Sequence, residues 1–179
     1  YYAPNDPADG SKYGRGLAEY LGESWLAGPS DEVWWCMIFV SWVFYHANQS
    51  CPGLPSYNTD TTLEAARSAG IVVPASNMAR GDIVIMETDS ESPGTDHVGI
   101  VETVNSSYYT TIEGNTSSSV YSSNCVARKT RYFDGTIAGV IRPPYSGGST
   151  TVPGGGSIAE DGYWGSETTR AFQRHYGTP

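Results

Sequence analysis

Apolar and polar positions change their spacing once along this chain. In the first seventy residues the pattern is helical. KYGRGLAEYL (12–21) predicts one helix, residues 35–47 a second that is apolar on nearly every side, and LEAARSAG (63–70) a third closed by Gly70. A helix apolar all round must be buried, so the second should be the centre of the core. Beyond it the period shortens to that of strands: DIVIM (82–86), HVGIVETV (97–104), YYTTIE (108–113), VARKTRYF (126–133) and IAGVIR (137–142), punctuated by Gly, Ser, Asn and Asp. Helices first and then a run of antiparallel strands predicts an α+β fold, N-terminal helices packed on a sheet.

Two composition shifts divide the chain. Residues 1–145 read as one domain, SGGSTTVPGGGS (146–157) as a Gly/Ser/Pro linker, and 158–179 as a short helical segment too small to fold alone. A net charge of -9 with two lysines, Lys12 and Lys129, excludes electrostatic capture of nucleic acid or of an anionic membrane surface. No apolar run is long enough to span a bilayer, and YYAPNDPADG lacks the regions of a signal peptide. With no initiator Met, the chain is expected to be a piece of a longer protein. Its Ser, Thr, Tyr and Gly content with scarce Lys suits a secreted, extracellular one.

The cysteines number three. Cys51 and Cys125 both sit among turn-forming polar residues and are expected to form a bridge, with two unpaired thiols as the alternative. Cys36 lies inside VWWCMIFVSW (33–42), among aromatics. Such a thiol is either inert core or a nucleophile, and a nucleophile needs a helix N-terminus and a neighbouring imidazole to favour the thiolate. Ser30 or Asp31 would be good N-caps, which would put Cys36 in the second helical turn. The alternative preferred here starts the helix near Trp35 and leaves 29–34 as an irregular turn, so that first-turn amides face the sulfur and an oxyanion.

Of the histidines, His46 is about 15 Å from Cys36 along one helix and cannot reach it, and His175 lies beyond the linker. His97 remains, at the start of a strand. If Asn105–Ser107 is a three-residue hairpin loop, Val104 opposes Tyr108, His97 opposes Asn115, and Glu113 is the diagonal neighbour of His97 on the same face. A carboxylate there could hold the imidazole in one tautomer, the base-plus-orienter arrangement of a triad. A slip of one residue would send Glu113 to the other face, and Glu113-Gly-Asn115 could equally be a turn.

The order WWCMIFVSW (34–42), GDIVIM (81–86), DHVGIVETV (96–104), TIEGN (111–115) and GVIRP (139–143) resembles the CHAP family, cysteine, histidine-dependent amidohydrolases/peptidases, over nearly all of residues 10–145. The resemblance implies a papain-like α+β core with Cys36 as nucleophile, His97 as general base, Glu113 orienting it and Asn115 as a polar supporter. It also implies peptidoglycan as substrate, cut either between muramic acid and L-alanine or within the stem and cross-bridge peptides, as in a cell-wall autolysin or phage lysin. Some members hold calcium just before the cysteine. GPSDEVWW offers only Asp31 and Glu32, so no metal and no cofactor are expected. The tail EDGYWGSETTRAFQRHYGTP (160–179) resembles about half of a peptidoglycan-binding type 1 module, matching at Asp161, Gly162, Trp164, Gly165, Thr169, Phe172 and Gln173. Trp34, Trp35 and Tyr57 are candidates to line a substrate groove, with core packing as the alternative for Trp35 and Trp42. A monomer is expected. The competing readings are an NlpC-type cysteine endopeptidase, disfavoured by Trp-Cys-Met and Glu-Gly-Asn, and a non-catalytic wall-binding protein.

Overall fold

A computed structural model describes residues 2–89 and 94–145; the expected linker and wall-binding segment lie outside them. Three helices precede a six-stranded antiparallel sheet. The helices are α1 (Lys12–Leu21), α2 (Cys36–His46) and α3 (Thr59–Ser68). The strands are β1 (Val72–Val73), β2 (Ile83–Met86), β3 (His97–Val104), β4 (Tyr108–Thr116), β5 (Cys125–Tyr132) and β6 (Ile137–Ile141), in the spatial order β1-β6-β2-β3-β4-β5. This is the α+β architecture expected, and it is consistent with a papain-like fold. No helix among the described residues is long and apolar enough to cross a membrane.

Local chemistry sets the helix ends. Ser11 Oγ accepts from Gly14 N at 2.9 Å to start α1, and Gly22, left-handed at φ 73°, ends it. Asn58 caps α3 through Thr61 N at 2.9 Å, so this helix begins four residues before the apolar pattern announces it. No side chain caps α2. Its N-terminus begins at Cys36 itself, after the irregular turn, as the second of the two starts required.

Each face of the sheet buries its own apolar cluster. Ile83, Ile85, Val98 and Ile141 pack with the buried side of α2 (Met37, Ile38, Phe39, Val40, Phe44) and with Leu17 and Leu63, whereas Val84, Met86, Val101, Tyr109 and Val140 form a second cluster on the opposite face. Strand alternation therefore puts His97, Gly99 and Val101 on the face away from the helices.

Two expectations are corrected. Val104 pairs with Tyr109, not Tyr108, because the hairpin loop takes in one more residue, closing with Asn105 N donating to Tyr108 O at 2.9 Å. A β-bulge at Glu102 then cancels the slip, restoring Val101↔Thr111 and Ile100↔Ile112. The expected Cys51–Cys125 bridge is absent, and all three thiols are free and buried. Asn124, next to Cys125, bonds Trp35 just before α2, while Cys51 lies beyond the other end of that helix. Eleven helical residues span roughly 16 Å, far outside disulfide reach. Cys51 instead packs in the helix-side core, where burial pushes its thiol up to about 11.

Candidate active site

The site lies where the N-terminus of α2 meets the start of β3. Helix geometry leaves the first-turn N–H groups at Cys36, Met37 and Ile38 without intrahelical acceptors, so the sulfur sits beside a cluster of free donors and the positive end of the helix dipole. Cys36 is 6 % exposed, and its Sγ donates a weak hydrogen bond to the carbonyl oxygen of Asp96 at 3.8 Å. The next residue is His97. Asp96 is itself fixed: its carboxylate accepts from Thr88 N and Oγ1 and from Asp89 N, tying off the start of β3. A second tether runs from α3, where the Asp60 carboxylate accepts from Thr95 N and Oγ1 at 2.8 Å each.

Two glycines make room for the rest. At Gly114 an added Cβ would fall 2.4 Å from Phe39 Cβ, so the bare backbone of β4 is what lets α2 approach the sheet this closely. At Gly99 an added Cβ would fall 2.9 Å from both Glu113 Cγ and Thr111 Cβ. That vacancy is the niche through which the Glu113 side chain crosses to β3.

Glu113 Oε2 lies 2.7 Å from His97 Nε2. The carboxylate is fully buried, and it accepts three further hydrogen bonds: from Arg131 Nε to Oε1 at 2.8 Å, from the Arg131 terminal nitrogen to Oε2 at 2.7 Å, and from Thr111 Oγ1 to Oε1 at 2.6 Å. Burial alone would raise its pKa, but the Arg131 and His97 hydrogen bonds and charges outweigh burial and hold the carboxyl down at about 2. For His97 burial alone would lower the pKa. Attraction to the Cys36 sulfur and to Glu113 prevails and pushes the imidazole up to about 9. With Nε2 engaged by Glu113, Nδ1 is the nitrogen left to exchange a proton with Cys36. The set can therefore generate a nucleophile, hold the proton that leaves it, and offer backbone donors to an oxyanion.

The other candidates divide. Asn115 stands beside the site in left-handed backbone (φ 53°) at a second bulge, where β4 slips against β5, and its side chain has no hydrogen-bond partner among the described residues. Trp34 is 71 % exposed and Tyr57 is exposed with its ring edge-on to Trp25 at 5.0 Å. Trp35 offers no face to a ligand. It is fully buried, stacked on Tyr13 at 5.6 Å, with Nε1 donating to Asn124 Oδ1 at 2.7 Å. His46 is exposed at the far end of α2, against Trp42. Among the described residues no group of three His, Cys, Asp or Glu could hold a metal ion.

Arg131 and Thr111 do not stand out in the sequence. A buried carboxylate needs a countercharge, and VARKTRYF holds three cations, but the long connection before β5 hides which one pairs with Glu113. No curated protein matches the chain. The stretch from residue 28 to residue 115, which carries Cys36, His97, Glu113 and Asn115, matches the model of the CHAP domain family.

Proposed function

We propose that this protein is a peptidoglycan hydrolase that cleaves an amide bond of the cell wall through an acyl-enzyme on Cys36. The family match points to amidase or peptidase activity on peptidoglycan, and the Cys36, His97 and Glu113 arrangement supplies the chemistry. The proton shared by Cys36 Sγ and His97 Nδ1 rests on the imidazole, and Sγ attacks the amide carbonyl carbon. The tetrahedral oxyanion is held by first-turn N–H groups of α2, and its collapse passes the proton to the leaving amine and leaves a thioester. Water, deprotonated by the same imidazole, then releases the carboxylate and the free thiol. Glu113 keeps the ring in the tautomer that presents Nδ1, and Asn115 is a polar supporter at the rim. Trp34, exposed two residues before the nucleophile, is a groove wall for the glycan peptide. The segment 158–179 fits retention on the wall, since an acidic enzyme gains little from anionic wall polymers, and the setting is extracellular.

The single observation that carries this reading is the 2.7 Å His97–Glu113 contact beside a cysteine at a helix N-terminus. Purified cell walls treated with the protein should release new amino groups or free muramic acid, and Cys36→Ser should abolish the release. Clearing by Cys36→Ser at the wild-type rate refutes the mechanism. Sedimentation with walls but no release would indicate a non-catalytic binder. Mass spectrometry of the muropeptides identifies the bond, N-acetylmuramoyl-L-alanine or a stem or cross-bridge peptide.

A further inference from the structure

We propose that Arg131 is a positioning residue of this site, acting through Glu113 to fix the tautomer and orientation of the His97 imidazole. The inference rests on the hydrolase reading above for its functional meaning. Its geometry stands on its own.

The guanidinium meets the carboxylate in a two-pronged pair, one nitrogen to each oxygen, while Thr111 takes a second site on Oε1 and His97 a second site on Oε2. Such a fork fixes the plane of the carboxylate as well as its place. The charge matters more than the plane. Glu113 is buried completely, and a carboxyl buried without a cation tends to take up a proton. A protonated Glu113 would be a donor at Oε2. It would then withdraw the charged acceptor that holds the Nε2–H of His97, and with it the support that lets the ring carry the Cys36 proton on Nδ1. Arg131 keeps Glu113 a charged acceptor, and so keeps the ring able to hold that proton. The other titratable groups that bear on this pair are Tyr109 on β4, Asp134 after β5, and Cys36 beyond the ring. Tyr109, raised to about 12 by burial, stays neutral through the working range.

The test compares wild type, Arg131→Met, Arg131→Lys and Lys129→Met, the last removing a cation of the same strand that donates instead to Ser117. Carbon-13 and nitrogen-15 NMR titrations follow the Glu113 carboxyl and the His97 ring, and kcat/KM on cell-wall fragments is measured against pH. In Arg131→Met the Glu113 midpoint should climb from about 2 to 4.5 or above, with the Nε2–H resonance shifting as Glu113 protonates. The acid limb of kcat/KM should move up by at least one pH unit, giving a tenfold or greater loss near pH 3.5, with KM little changed. Arg131→Lys should lie between, and serves if the Met variant does not fold. Lys129→Met should keep the wild-type profile. A wild-type Glu113 midpoint in Arg131→Met, or activity lost equally at every pH, overturns the proposal. If wild type releases nothing from walls, the hydrolase reading falls, and the NMR titration still decides the role of Arg131.

Discussion

Replacing Glu113 by Gln separates the charge of this residue from its shape, and the structure gives the size of the effect. The carboxyl sits at about 2 against an ordinary 4.5, a difference worth about 3 kcal/mol of stability at neutral pH. The attraction to His97 also enters the raised value of the imidazole, so the two shifts are not added. Gln also turns an NH2 group toward Arg131 or His97, donor against donor. Relief comes from Arg131, which is 26 % exposed and can swing toward water. Because the folded-state value of Glu113 is depressed, its contribution is present above pH 4.5 and is lost as pH falls through about 2. Urea unfolding should therefore place Glu113→Gln about 3 kcal/mol below wild type at pH 7, roughly 10 °C in Tm for a domain of this size, and only about half as far below at pH 3. A gap that is the same at both pH values, or larger at pH 3, would show that packing and not charge holds Glu113 in place, and would refute the electrostatic account.

The His97 ring should titrate by NMR near pH 9 instead of 6.5; since its folded-state value is raised, the stability it contributes is full below pH 6.5 and fades as pH rises through 9, and a midpoint at or below 6.5 would contradict the contacts described. Gly114→Ala should lower stability by about 1–3 kcal/mol, because its methyl would press on Phe39 and Trp35 and push α2 off the sheet; an unchanged Tm would show that α2 yields without cost. After unfolding without reductant, the protein should react with thiol reagent at Cys36, Cys51 and Cys125 alike, and its Tm should not depend on reductant; two missing thiols would restore the bridge between Cys51 and Cys125.

The elements legible in the sequence were those whose pattern is local. The helix at 12–21 and the strand at 97–104 are found with the bounds expected, because a capping Ser11, a closing Gly22 and Gly/Asn-bounded apolar runs each act over a few residues. The start of α3 was hidden because TDTT is polar, and its signal is the cap at Asn58. The pair of residues in β1 is too short to show any period. Long-range partners were less accessible. Cys51 and Cys125 look alike in sequence, both among turn residues, yet they lie near opposite ends of α2, a separation no local pattern encodes. Trp34 and Trp35 differ by one position and by the whole of their exposure, since the turn before α2 sends one ring to solvent and the other onto Tyr13.

The His97–Glu113 juxtaposition was reached from a hairpin register that is wrong at the loop and right at the site, and the difference lies in Glu102. The extra loop residue shifts Val104 to Tyr109; carried along the strand, that slip would put Glu113 on the helix face, out of reach of the imidazole. Glu102 absorbs it as a bulge. Its carboxylate is gripped by Arg128 through two contacts of 2.6 Å and by Thr110 Oγ1 at 3.1 Å, so the irregularity is held by the next two strands. The pairing of β4 with β5 thus acts twice on the same strands: at one face Arg128 fixes the bulge that sets which residue faces His97, and at the other Arg131 fixes the charge of the residue so placed. A site assembled from a helix end and a distant strand depends on register to within one residue, and β5 is the element that supplies it.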